Sequence, residues 1–180
     1  IQIYDGGLPQ YPKEPWKYNL FFNINGLTNE YDGSATFIRD SKLTEVKCFE
    51  DIEKLDFDNY GFLEAAVTSG GLSTMPWTFK DNLNTLENKT LRYSGHWNDM
   101  IAYRRLGLFD MDPIEFKNNK IIPRDFYHSL LEPKLNAGTI KDVCLMRING
   151  SGLNGNDLIN MQLDAVELFD ENTGFTAMEK

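Results

Sequence analysis

Lys89-Thr-Leu-Arg-Tyr-Ser-Gly-His-Trp97 is a short apolar run that ends on an arginine and a tyrosine and then turns on a serine and a glycine. Thr90, Leu91 and Tyr93 suit an extended strand, and Ser94 and Gly95 turn the chain so that His96 and Trp97 open a helix running to about Leu106. Asp99 in its first turn and Arg104 and Arg105 in its last complement the helix dipole, and Gly107 follows where a left-handed cap is expected. Unpaired backbone N–H groups at such a helix start attract a carboxylate, and Arg92, just upstream, offers a planar fork that holds one bidentately. The same residues also fit a plain strand-to-helix turn with Arg92 in an ion pair. The rest of the chain has to decide between the two.

Upstream, Phe62-Leu-Glu-Ala-Ala-Val67 reads as a buried strand that stops at Thr68-Ser-Gly-Gly71, and the acidic Asp51, Glu53, Asp56 and Asp58 before it read as a solvated connection. Ala35 to Arg39 and Leu43 to Phe49 flank Asp40-Ser41-Lys42 as a β-hairpin. Trp16 to Ile24 is aromatic and branched enough for a strand or a buried segment, and a local helix fits between Asn25 and Tyr31. Pro12 and Pro15 keep the preceding stretch irregular. Ile1 to Tyr4 reads as a strand that runs into Asp5-Gly-Gly-Leu-Pro9, a loop whose glycines permit unusual backbone angles or close approach of another group. Between the glycine-rich turn and the opening stretch, Pro76 starts a short helix through Leu83.

Downstream, Pro123 begins a helix with Phe126, Tyr127, Leu130 and Leu131 at helical spacing, which Pro133 ends or bends. Asp142 to Ile148 reads as a strand. Leu158 to Phe169 fits either an alternating strand or a helix face, and the strand is the reading adopted. Three predicted strand ends, Asp5 to Pro9, Thr68 to Leu72 and Arg92 to His96, can share one rim. A small ligand bearing a carboxylate suits that rim, with Tyr18, Tyr31 and Trp77 as walls.

A chain of 180 residues, 41% hydrophobic and 13% aromatic, has enough material for one domain with a core. Eighteen basic against 27 acidic side chains give a net charge of -9 without long runs, which argues against nucleic acid or an anionic membrane as partner. Cys48 and Cys144 are too few and too far apart for a disulfide framework or a metal knuckle, so buried free thiols in a reducing cytoplasm are expected. No apolar stretch approaches a membrane span, and Ile1 starts inside a β-like run, which suggests a piece of a longer protein.

Gly150-Ser-Gly-Leu-Asn-Gly155 formally matches a dinucleotide fingerprint, with Asp170 near the expected acidic offset. Too little chain follows for a nucleotide-binding half, and with a strand after it the stretch is a hairpin loop. Two histidines preclude a multi-histidine metal site, the carboxylates show no clustered spacing, and no metal is expected. Gly-x-Ser-x-Gly is absent, which argues against a hydrolase triad. His128, mid-helix beside Tyr127 and Leu130, reads as structural. His96 at a helix start is either structural or a neutral imidazole able to move a proton, and it is the one candidate catalytic group.

These residues resemble the saccharopine dehydrogenase family, including its L-lysine dehydrogenase-like members, over nearly the whole chain. The resemblance rests on Gly6-Gly-Leu-Pro9, Asn25-Gly-Leu-Thr-Asn-Glu-Tyr31, Ile38-Arg-Asp-Ser-Lys42, Leu63 to Pro76, Lys89 to His96, Pro123-Arg-Asp, Leu130 to Leu135 and Thr173 to Met178, in that order. It implies an α+β fold, a mixed and largely antiparallel sheet with helices packed on one face, as in the glyceraldehyde-3-phosphate-dehydrogenase-like C-terminal domains. It implies a substrate-binding and dimerisation domain whose N-terminal Rossmann partner, binding NAD or NADP, and whose C-terminal return helix lie outside these residues. The reaction implied is oxidation of a carbon-nitrogen bond in lysine, saccharopine or a related amino acid, and a chain without the cofactor domain is expected to be inactive alone. A domain that has lost catalysis and only dimerises or binds amino acids is the alternative. By resemblance, Arg92 anchors the substrate carboxylate, and Tyr93, His96 and the loop Gly6, Gly7, Leu8 and Pro9 lie near the substrate, as do Ser69, Gly70 and Gly71. Many relatives carry a proline where this chain has Ser94.

Overall fold

The computed structural model describes every residue except Ala137 and Thr139. In chain order the elements are β1 (Gln2–Pro9), α1 (Ile24–Glu30), β2 (Ser34–Arg39), β3 (Lys42–Lys47), β4 (Glu53–Phe57), β5 (Gly61–Ala66), α2 (Met75–Phe79) and β6 (Glu87–Tyr93). They continue through α3 (His96–Arg105), β7 (Ile114–Phe116), β8 (Asn119–Ile121), α4 (Pro123–Leu135), β9 (Asp142–Asn154) and β10 (Asp157–Leu168), and a 3-10 turn spans Ala177–Glu179. Six strands form one sheet in the order β10-β9-β1-β6-β5-β4. Among the described strands of this sheet β1 and β6 run parallel and the other neighbours are antiparallel.

The sheet's two faces have different fates, set by strand alternation. One face presents Tyr4 and Leu8 of β1, Leu63 and Ala65 of β5, Leu91 of β6 and Val143 of β9, all buried together. Among the described residues no helix contributes to that cluster. The sheet instead curls over it, because Arg147 of β9 reaches across to β4 near the opposite edge. Its Nη1 donates to the Asp56 carbonyl at 2.9 Å, its guanidinium lies 4.1 Å from the centre of the Phe57 ring, and Asp164 on β10 grips it bidentately at 2.7 and 2.6 Å. The other face carries the helices. Ile24 and Leu27 from α1, Tyr31 just after it, Trp97 and Met100 from α3, and Tyr127, Leu131 and Leu135 from α4 bury their side chains with Ala66 of β5. Each such side chain contributes on the order of 1.5–3 kcal/mol of burial. The result is the expected α+β architecture with helices on one face.

Several local expectations change. Gly6 and Gly7 lie within β1 rather than in a loop. Gly6 serves close approach, since a Cβ there would sit 2.6 Å from the Leu91 carbonyl oxygen on the neighbouring strand. Trp16 to Asn23 forms no strand, yet Tyr18 is buried in the helical core, so aromatic content reported burial alone. The acidic stretch is not just a connection, because β4 occupies Glu53–Phe57 at the sheet edge, where charged side chains are normal. The β7–β8 hairpin was not anticipated. The β2–β3 hairpin forms as expected, with Asp40 and Ser41 at φ 50° and 58°, as a type I′ turn requires. Pro133 lies inside α4 only two residues before its end.

Candidate functional site

The opening stretch folds as read, with β6 ending at Tyr93, Gly95 at φ 102° capping the start of α3, and Gly107 at φ 83° just beyond its end. The anion at the start of α3 is the protein's own. Glu64 on β5, paired in register with Arg92, accepts the Gly95 N–H at 3.1 Å through its carboxylate, and its carbonyl accepts the Trp97 indole N–H at 2.9 Å. A ligand carboxylate at this helix terminus is therefore not what Arg92 awaits.

Arg92 is 4% exposed, yet among the described residues no carboxylate lies within salt-bridge distance of it. Its Nε donates to the Tyr31 hydroxyl at 3.0 Å, its Nη1 donates to the Leu91 carbonyl at 2.8 Å, and its guanidinium lies 4.8 Å from the centre of the Tyr18 ring. The Tyr18 hydroxyl is itself buried and has no hydrogen-bond partner among the described residues. A buried charge and a buried hydroxyl left unsatisfied are both costly, and a ligand anion resolves both.

Behind Arg92, the Tyr31 hydroxyl accepts from Nε–H and shares a second hydrogen bond with His96 Nε2, 2.9 Å away. Burial, and then the Arg92 charge, push the His96 pKa well below its ordinary value, so the imidazole is neutral. His96 is 3% exposed and orients Arg92 through Tyr31 from the core. It does not reach the cleft wall.

Arg92 opens onto a cleft of about 610 Å³. Alternation along β6 brings Asn88 and Thr90 to the same wall, and β1 contributes Asp5, Gly6 and Gly7. Ser69, Gly70 and Gly71 form a rim that is tied to the end of α1: the Ser69 N–H donates to the Glu30 carbonyl at 2.8 Å and its hydroxyl to the Asn29 carbonyl at 2.9 Å. Asn88 donates to Asp5 at 2.6 Å. Burial raises the Asp5 pKa against the lowering effects of Asn88 and Arg92, and burial raises that of Glu30 against Arg92.

The structure thus brings together Gly6, Gly7, Ser69, Gly70, Gly71 and Arg92 from the sequence candidates. It places four others elsewhere. Leu8 is buried inside the curled sheet, and Tyr93 points to the face opposite Arg92, where its hydroxyl donates to the Pro9 carbonyl at 3.0 Å. Pro9 and His96 are likewise off the cleft wall. Of the suggested walls Tyr18 serves, Tyr31 stands behind Arg92, and Trp77 is exposed away from it. Glu30 and Asn88 were missed; alternation from Arg92 could have found Asn88, whereas Glu30 depends on tertiary packing. Cys144, expected to be buried, is half-buried and lines the cleft.

Gly150 to Gly155 lies in the β9–β10 hairpin, whose pairing runs to Asn154 opposite Asp157. The strand-to-helix turn that cradles a dinucleotide is not formed there, so these residues do not fit NAD or NADP. Among the described residues no helix is long and apolar enough to cross a membrane.

The fold has a counterpart among solved structures. The structure is similar to apo histidine-tagged saccharopine dehydrogenase (L-Glu forming) from Saccharomyces cerevisiae, with a TM-score of 0.75 and 15% sequence identity. The match covers 99% of this chain and 54% of that one, so the chain spans about half the length of that enzyme. At this identity the likeness speaks for the fold. In sequence, the family described as saccharopine dehydrogenase C-terminal domain matches residues 1–180. With that match running from end to end, the chain belongs to the saccharopine dehydrogenase C-terminal domain family.

Proposed function

We propose that this chain is the substrate-binding domain of an NAD(P)-dependent oxidoreductase acting on the carbon-nitrogen bond of lysine, saccharopine or a related amino acid. The observation that carries the proposal is Arg92, a buried guanidinium that faces an open cleft and has, among the described residues, no counter-ion, beside a tyrosine hydroxyl that has no hydrogen-bond partner among them. A substrate carboxylate seated there accepts from the remaining Arg92 N–H groups and from Tyr18. NAD or NADP, bound by a domain outside these residues, would supply the hydride acceptor for oxidation of the amine-bearing carbon. This chain's part is to fix the carboxylate, and so the reacting carbon, against a pre-set wall.

The same reading includes a homodimer. β10 is a sheet edge exposed along its whole length, with Leu158, Met161, Leu163 and Val166 in solvent, and such an edge favours pairing with another copy. Light scattering that gives a monomer at all concentrations would remove this part alone.

Calorimetric titration with L-lysine and with saccharopine tests the anchor. Arg92→Ala should weaken whichever ligand binds by about a hundredfold or more, the loss of two charge-assisted hydrogen bonds. Unchanged affinity in a variant that still melts cooperatively would show that Arg92 holds no carboxylate.

A further inference from the structure

Two distant parts of the chain meet over Gly7. On the cleft face of β1, a Cβ at Gly7 would lie 2.8 Å from Met178 Sδ, 3.3 Å from its Cγ and 3.8 Å from the Phe21 ring. Gly7 therefore leaves room for a thioether that the Ala177–Glu179 turn carries in from far along the chain. Asp5 pairs with Thr90 in the parallel β1–β6 ladder, so Gly7 and Arg92, each two residues further on, stand roughly level on neighbouring strands. Met178 is thus beside the guanidinium, where the cleft wall continues into Cys144, Met146 and Ala165.

A methionine side chain is flexible, so the wall it makes is as firm as its hold. Asp142, 0% exposed, accepts the Ala177 N–H at 2.7 Å with one carboxylate oxygen and the Met178 N–H at 3.1 Å with the other. Without the turn that buried carboxylate would lose both hydrogen bonds, a costly state. The turn is also closed on itself, since Glu179 accepts the backbone N–H and the hydroxyl of Thr176 at 2.8 and 3.0 Å. The sulfur is held as well: the Cys144 thiol donates to Met178 Sδ at 3.2 Å, and burial pushes that thiol up to about 11, which keeps its proton in place at neutral pH. Met178 is nevertheless 50% exposed, and it lines the open cleft.

Resting on the reading of Arg92 as carboxylate anchor, we propose that Met178 is a specificity-determining residue that limits the bulk a ligand can carry next to its carboxylate, and that Asp142 is the positioning residue that latches the Ala177–Glu179 turn to put it there. With the carboxylate on Arg92, the carbons nearest to it lie against the thioether. An unbranched chain passes that wall, and a branch beside the α-carbon meets it. Because the anchor belongs to β6 and the wall to the turn, their spacing is set by folding and not by the ligand.

The test is calorimetric titration of the chain with L-norleucine and L-isoleucine, isomers of the same charge that differ in whether a branch lies beside the α-carbon. The parent should prefer norleucine by about tenfold or more, the discrimination that one misplaced methyl group provides. Met178→Ala should narrow the ratio to about twofold by gaining affinity for isoleucine, and Met178→Leu, which restores apolar bulk, should recover most of it. Asp142→Asn replaces one accepting oxygen by an NH2 group and should narrow the ratio with Met178 still present. A parent without the preference, or a Met178→Ala variant that keeps it, overturns the role of Met178, and a folded Asp142→Asn variant with the parent's ratio overturns the latch. If Asp142→Asn does not melt cooperatively, Glu179→Ala opens the same turn at the surface, and an unchanged ratio there has the same meaning. Equal binding of both isomers to Arg92→Ala and to the parent would instead overturn the anchor, whereas affinities that depend on Arg92 with a ratio indifferent to Met178 would overturn only the wall.

Discussion

Replacing Gly71 by alanine tests how the cleft is held in shape. A Cβ at this position would lie 1.8 Å from Asn88 Oδ1, more than an ångström inside normal contact, and 2.8 Å from its Cγ. Asn88 is 6% exposed and holds Asp5 at 2.6 Å, so its side chain can give way only by releasing that carboxylate. The lost hydrogen bond to a charged group costs about 1.5–3 kcal/mol. Gly71 does not have a positive φ, so alanine meets no backbone strain and recovers about 0.4–1 kcal/mol through the unfolded chain. The net loss should be about 1–2 kcal/mol in urea unfolding at neutral pH. In an Asn88→Ala background the clash is gone, and the same substitution should be neutral or mildly stabilising. Gly70→Ala is the control: it meets open space at φ 89°, so its cost is backbone strain and should be equal in both backgrounds. Equal costs for Gly71→Ala in the two backgrounds, or no cost in the parent, would refute the reasoning.

Two further perturbations probe other parts of the fold. His96 is neutral when folded and has an ordinary pKa when unfolded, so below about pH 6.5 the unfolded state binds the extra proton and stability falls with falling pH, at up to about 1.4 kcal/mol per unit. Unfolding curves across that range should show the decline, and a His96→Gln variant with the same slope would assign it elsewhere. Arg147→Ala removes the brace across the curled sheet and should cost about 2 kcal/mol, with Arg147→Lys recovering only part because an ammonium cannot grip Asp164 bidentately. Chemical denaturation measures both variants, and full recovery by lysine would contradict the bidentate account.

What could be read from the sequence was mostly what neighbouring residues determine. The Lys89 to Gly107 unit was legible because alternation, turn residues and caps are local. So was the β2–β3 hairpin. The two glycines of β1 were misread because Gly-Gly announces permissive backbone, whereas Gly6 answers to a strand distant in sequence. β4 was hidden because acidic residues depress strand propensity, although Leu55 and Phe57 alternate inward from an edge where charge is tolerated. In the site, Arg92 was legible as an unusual cation at a strand end, but its lack of a partner was not. That depends on the β5–β6 register, which gives Glu64 to the helix rather than to the arginine. His96 reads as reactive at a helix start, and only the packing of Tyr18, Tyr31 and Trp97 around it shows that it faces the core.

The chain of hydrogen bonds from His96 through Tyr31 to Arg92 has a consequence for how tightly a ligand can be held. A free arginine side chain loses up to about 2 kcal/mol of rotamer entropy when it closes on a carboxylate. Here that loss has been taken during folding, since Tyr31, the Leu91 carbonyl and the Tyr18 ring already fix the guanidinium. A ligand arriving at Arg92 meets a receptor that is already ordered, so more of the gross attraction survives as affinity. Tyr31→Phe keeps the charge and removes the restraint on its direction. Its effect on binding separates the worth of aiming the arginine from the worth of the arginine itself.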